Sequence, residues 1–106
     1  MRSVRRSKYG AVRTTVDGIT FASKKEAKRY SELKLLVKAK AISCLELQER
    51  FTLVVNGIKV GTYVADFSYV QDFAPIVEDV KGVKTSTYRL KAKLMKAIYG
   101  ITIKET

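Results

Sequence analysis

Residues 42–55 read "ISCLELQERFTLVV", residues 56–57 "NG", and residues 58–70 "IKVGTYVADFSYV". Two segments rich in branched and aromatic residues, joined by Asn-Gly, predict a β-hairpin, because Asn and Gly tolerate the left-handed backbone of a tight two-residue turn. Downstream, "QDFAP" breaks the chain with its only proline, and "IVEDVKG" reads as a third strand ending at Gly82. Three consecutive antiparallel strands are expected. Thr85 or Ser86 then caps a helix over residues 87–99, with Leu90, Leu94, Ala97 and Ile98 as its core stripe and Gly100 as its stop. "ITIKE" supplies a last strand.

Upstream, Ser23 followed by Glu26 is a capping box, with Phe21 or Ala22 as the hydrophobic staple. Ala27, Tyr30, Leu33, Val37 and Ala41 recur at helical spacing, predicting a helix over residues 24–40. "VRTTVDGITFAS" alternates about Asp17-Gly18 and reads as a short hairpin leading into that helix. The order from Ser23 onward is α, β, β, β, α, β, an α/β (α+β) chain with a mixed sheet flanked by helices.

A length of 106 residues fits one domain. Residues 1–22 divide off as a basic arm carrying Arg2, Arg5, Arg6, Lys8 and Arg13, leaving residues 23–106 as the folded domain. The arm reads equally as a solvated terminus or as a nucleic-acid contact. Lysine and arginine number 21 against 10 acids, and the net charge of +11 favours a polyanionic partner, nucleic acid first and a membrane surface second. No apolar run approaches the roughly 18 residues that span a bilayer, and no apolar segment follows the basic start, so the expectation is a soluble, cytosolic protein without a membrane partner.

With no histidine and one cysteine, the chain excludes a zinc finger, a disulfide framework and histidine-based catalysis. Cys44 is expected as a small core residue. Carboxylates, lysines, hydroxyls and an oxygen-bound hard metal ion remain as catalytic groups.

Three strand residues carry that chemistry. In "VEDVKG", residues 77–82, strand alternation puts Val77, Asp79 and Lys81 on one face and Glu78 on the other. Asp66 precedes them in "YVADFSY", and an antiparallel connection brings it beside Asp79. Two carboxylates so close need a compensating charge, which Lys81 and a divalent metal would supply. Phosphodiester hydrolysis uses such a set: carboxylates hold magnesium or manganese, and a lysine orients water or stabilises the charge developing on phosphate. Glu26, on the core-facing edge of the first helix, is a candidate third acid, and its alternative role is that of a helix cap.

An acid on the first helix, Asp66 at the hairpin and Asp79-Val80-Lys81 on the next strand resemble the PD-(D/E)xK nuclease superfamily over roughly residues 23–104. Within it the chain looks most like small phage and prophage proteins with "DF.Y" and "EDVKG" blocks, relatives of Holliday-junction resolvases. The resemblance implies a restriction-endonuclease-like αβββαβ core and a magnesium- or manganese-dependent endonuclease. It also implies a homodimer acting on branched DNA in phage recombination, replication or packaging inside a bacterial host. Asp66 matches the first strand aspartate, Asp79 the variable acid, Lys81 the lysine and Glu26 the helical glutamate of the resolvase-like branch. Ala65 stands where the superfamily has its proline, and Asp79 where glutamate is more usual.

Other residues have two readings each. Gln48 is a contact to water or phosphate, or an exposed strand residue. Lys84, Thr85, Tyr88, Arg89, Lys93 and Lys96 line a DNA backbone, or form a solvated helix face. Tyr30, Tyr63, Phe67, Tyr69, Phe73 and Tyr99 are expected in the core or at a dimer interface rather than as stacking platforms. The rival functions are a non-catalytic nucleic-acid-binding accessory protein that retains the fold, and a basic phage structural or regulatory protein.

Overall fold

A computed structural model describes residues 12–106, so Arg2, Arg5 and Arg6 lie outside the described residues. The chain divides into two compact units, the first ending at Ala41 and the second running over residues 42–106. Among the described residues no helix is long and apolar enough to cross a membrane.

In the first unit β1 (Thr14–Val16) and β2 (Ile19–Phe21) form the expected small hairpin, turned by Asp17 and Gly18 at φ of 53° and 74°. Helix α1 (Lys24–Lys38) starts where Ser23 Oγ accepts the Glu26 backbone N–H at 3.1 Å. Its buried residues are Glu26, Ala27, Tyr30 and Leu33, while Val37 is half-buried and Ala41 exposed. The helix ends two residues before the expected Lys40, because Lys40 takes a left-handed φ of 62° that no α-helix continues through. Tyr30 ties the helix to the hairpin: its ring lies 5.0 Å from that of Phe21, and its hydroxyl donates to Asp17 Oδ2 at 3.1 Å.

The second unit is built on the ribbon read first from the sequence. Strands β3 (Ser43–Leu47) and β4 (Arg50–Val55) run out, and β5 (Ile58–Val64) and β6 (Phe67–Gln71) return. The turn is at Asn56 and Gly57, both at positive φ. Leu47 opposes Phe67 and Arg50 opposes Val64. Between them Ala65 N–H donates to Glu49 C=O at 2.9 Å and Gln48 N–H to Asp66 C=O at 3.3 Å, so the register passes unbroken through the interruption. What reads as two long strands is one ribbon bent at residues 48–49 and 65–66. Gln48, at φ 58°, is the bend.

After β6 the chain turns back through Asp72 and Phe73 into β7 (Ala74–Asp79). "QDFAP" is therefore not a loop that excludes its proline from the strand: the turn takes two residues, and Pro75 lies within β7 opposite Val70. Helix α2 (Ser86–Tyr99) follows, capped by Thr85 and stopped by Gly100 at φ 69°. Strand β8 (Lys104–Glu105) is shorter than "ITIKE" suggests and pairs parallel with β7. The resulting mixed sheet has the order β3-β6-β7-β8, with β4-β5 as its bent continuation. The class is α+β, as the alternation of sequence patterns predicts.

The core of this unit joins Leu53, Tyr63, Ala65 and Val77 of the ribbon and β7 to Tyr88 and Met95 of α2 and Ile103 before β8. Two expectations are corrected here. On α2 the expected Leu94 and Ile98 are half-buried against the core, but the buried residues are Tyr88 and Met95, whereas Leu90 is 58 % exposed and Ala97 is exposed. The wide ring and the adaptable thioether take the deepest positions, and Leu94 and Ile98 flank them. Cys44 is exposed at φ 56°, on a bulge that shifts the β3–β6 register between Ser43 and Glu46, and is not a core residue. Phe73 is fully exposed at the β6–β7 turn, because a two-residue turn projects its side chains away from the sheet.

Candidate active site

The end of β7 gathers the strand residues selected from the sequence. Phe67 opposes Glu78, and the same register carried one residue further sets Asp66 opposite Asp79. Asp66 Oδ2 accepts the Val80 backbone N–H at 2.9 Å, which clasps the start of β6 to the end of β7. Asp79 is buried, at 1 % exposure, and Lys81 stands two residues on with its Nζ 3.3 Å from Asp79 Oδ2. The predicted trio of Asp66, Asp79 and Lys81 is therefore assembled. Asp66 and Lys81 are half-buried and form its more open side.

Alternation also separates Glu78 from this group, but not toward solvent. Glu78 is wholly buried on the opposite face, where its two carboxylate oxygens accept from Tyr69 Oη at 2.6 Å and Thr106 Oγ1 at 3.0 Å. Hydroxyl donors meet both oxygens of this buried carboxylate, and the acid that shares a face with Lys81 is Asp79.

Three further side chains complete the neighbourhood, and sequence reading had given them other roles or none. Tyr63 donates its hydroxyl to Asp79 Oδ2 at 2.5 Å. Tyr88 donates to Glu105 Oε2 at 2.7 Å, and Glu105 Oε1 also receives Lys84 Nζ at 2.7 Å. Glu105 is the register partner of Asp79 on β8, so Gln48, Asp66, Asp79 and Glu105 occupy neighbouring positions across successive strands. The strand closes tightly on the site: Thr106 N–H donates to Asp79 C=O, and Lys81 N–H to Thr106 C=O, each at 3.0 Å.

Tyr63 is a core residue as expected and a ligand of Asp79 besides, whereas Tyr88 is buried rather than exposed along a backbone-binding face. A signal for Glu105 was present in the alternation. Ile101, Ile103 and Glu105 share a face of "ITIKE" as Val77, Asp79 and Lys81 share one of "VEDVKG".

Burial, followed by the hydrogen bond to Asp79, pushes the Tyr63 phenol well above its usual range, and burial followed by the bond to Glu105 does the same for Tyr88. Both phenols remain neutral donors at physiological pH. Glu105 moves the other way: the Lys84 ammonium and then the Tyr88 hydroxyl hold its carboxyl below the usual 4.5, against a smaller opposing effect of desolvation.

A lowered pKa in the folded state means that folding favours the ionised carboxylate. The contribution of Glu105 is thus present above its ordinary pKa and is lost as the pH falls through the folded-state value. Urea midpoints of wild type and Glu105→Gln are expected to differ at pH 7, with wild type the more stable, and to converge below about pH 4.5 as the carboxyl protonates. A gap that stays constant from neutral to acid pH would deny the charge any part in it.

Of the remaining candidates, Glu26 is buried in the first unit beside its Ser23 cap, and Gln48 is exposed at the ribbon bend. Arg89, Lys93 and Lys96 lie exposed on α2 as expected, with Lys96 Nζ bonded to Thr102 Oγ1 at 3.1 Å. Lys84 is also exposed, but its ammonium is engaged by Glu105.

Among the described residues no group of three or more acids or cysteines is arranged to hold a metal ion. A pair of carboxylates is nonetheless a fitting donor set for magnesium, which commonly uses one or two carboxylates and completes its shell with water and substrate phosphate. The Tyr63 hydroxyl and the Lys81 ammonium both approach Asp79 at Oδ2.

The chain belongs to the family described as Protein of unknown function (DUF1064), whose model matches residues 6–105. Neither a curated protein nor a solved structure matches it.

Proposed function

We propose that this protein is a metal-dependent DNA endonuclease that hydrolyses phosphodiester bonds, with branched DNA such as a Holliday junction as its substrate. The observation that carries the reading is the meeting of Asp66, Asp79 and Lys81 at one end of β7. Two acids and an ammonium, supported by a tyrosine, meet where β6 begins and β7 ends, in a chain of net charge +11. Asp66 and Asp79 would hold magnesium or manganese, and Glu26 is proposed as a further acid on the sequence pattern alone. The bound ion would supply Lewis-acid screening of the phosphate and activation of water.

The chain's own groups do the remaining work. Tyr63 fixes the Asp79 carboxylate in one orientation by occupying Oδ2. The Lys81 ammonium orients the attacking water or donates to the phosphate oxygen on which charge grows, giving a 5′-phosphate product. Exposed Arg89, Lys93 and Lys96 contribute sequence-independent attraction to the DNA backbone. A homodimer would cut two strands symmetrically, and a bacterial cytoplasm hosting phage DNA is the proposed setting.

The test is a cleavage assay with magnesium or manganese on four-way junction, flap, linear duplex and single-stranded DNA. Cleavage of the junction above the linear duplex is expected. Tight binding without cleavage of any substrate in either metal would favour the accessory-protein reading, for which the basic surface of α2 alone is sufficient.

A further inference from the structure

A lysine on a flexible four-carbon stem is a poor catalytic group unless something holds its head. Lys81 Nζ has a carboxylate at 3.3 Å, that of Asp79, and an aromatic face at 4.2 Å, the ring of Tyr88 measured to its centroid. The ring is itself fixed at both ends. Its backbone N–H donates to the Thr85 cap at 3.1 Å, and its hydroxyl donates to Glu105, which Lys84 holds from the other side.

We propose that Tyr88, braced by Glu105 on β8, is the positioning residue that holds the Lys81 ammonium at the acid pair. This rests on the hydrolytic reading given above. An aromatic face suits the task because it attracts a cation without adding a charge. A third carboxylate in its place would repel the substrate phosphate and draw the divalent ion toward the position of Lys81. Glu105 acts one step removed, with its charge balanced by Lys84, so the brace adds no net negative charge beside the phosphate.

The test has one reading independent of catalysis and one within it. Carbon–proton NMR of the Lys81 Hε protons, assigned by their absence in Lys81→Ala, is expected to show a ring-current upfield shift in wild type. Tyr88→Phe, which keeps the ring but loses its bond to Glu105, should reduce that shift, and Tyr88→Leu should lose it. In junction cleavage, Tyr88→Leu is expected to lower kcat about tenfold or more with KM little changed, and Tyr88→Phe, which keeps the ring without its brace, to restore part of the rate. In a Lys81→Ala background Tyr88→Leu should add no further loss, whereas a purely structural role would add its cost in full.

Unchanged Lys81 signals in Tyr88→Leu, or additive losses of kcat, would overturn the proposal. Should Tyr88→Leu fail to fold, Glu105→Gln keeps the ring but weakens its brace; a reduced Lys81 shift supports the proposal and an unaltered one overturns it. If no variant and no wild-type sample cuts DNA while the NMR shifts behave as stated, the hydrolytic reading fails and the positioning of Lys81 stands.

Discussion

Asp79→Asn is expected to abolish metal-dependent cleavage while leaving DNA binding intact or tighter. The loss should exceed about 100-fold, since removing a residue that merely supports a metal ligand costs roughly 10- to 100-fold. The substitution replaces a hard anionic donor with a neutral amide, a weaker ligand for magnesium, in a position that is 1 % exposed and cannot be served by a neighbouring surface acid. It also removes a negative charge where phosphate must approach, so electrostatic attraction to DNA rises.

The fold should survive, because an asparagine carbonyl can still accept from the Tyr63 hydroxyl that now bonds Asp79. The cost is the difference between a charged and a neutral acceptor, about 1 kcal/mol. Cleavage in magnesium, mobility shift in a chelator and a thermal melt separate these effects. Cutting at the wild-type rate would remove Asp79 from the site, and an unfolded variant would make it a structural acid like Glu78.

Met95→Ala is expected to destabilise the second unit by about 2–5 kcal/mol, the range for truncating a fully buried long side chain. Met95 is 0 % exposed and sits with Leu53, Tyr63, Ala65 and Val77 beneath α2. Its loss leaves a cavity that two bent strands and a capped helix cannot easily close. Against a total of about 5–15 kcal/mol for a typical domain the effect is large, and urea denaturation would measure it.

Leu90→Ala provides the contrast. Leu90 is 58 % exposed and its truncation should cost no more than about 0.5 kcal/mol. Equal losses for the two variants would mean that α2 presents the other face to the sheet.

Much of this arrangement is legible in the sequence because it depends on local preference. Asn56-Gly57 determines a two-residue turn, Ser23 and Thr85 set helix starts, and Gly100 stops the second helix where a left-handed residue is needed. Strand parity alone assigns Asp79 and Lys81 to one face and Glu78 to the other. The Asp66–Asp79 pairing follows from the hairpin register once the turn between β6 and β7 is known to be short.

Other features answer to no local rule. Gln48 takes a left-handed conformation where the ribbon is interrupted, and Tyr88 and Met95 are the residues of α2 that reach deepest into the core. Tyr63, Tyr88 and Glu105 reach the site from β5, α2 and β8, so their bonds to Asp79 and to one another depend on long-range packing.

The sequence by itself determined the element types, the turns, the charge and the acid-lysine face of β7, because backbone preference and side-chain alternation act over only a few residues. Tertiary structure decided the bend, the inward face of α2 and the tyrosine–glutamate brace around Lys81. Those depend on which distant surfaces exclude water together, and neither spacing nor composition records that choice.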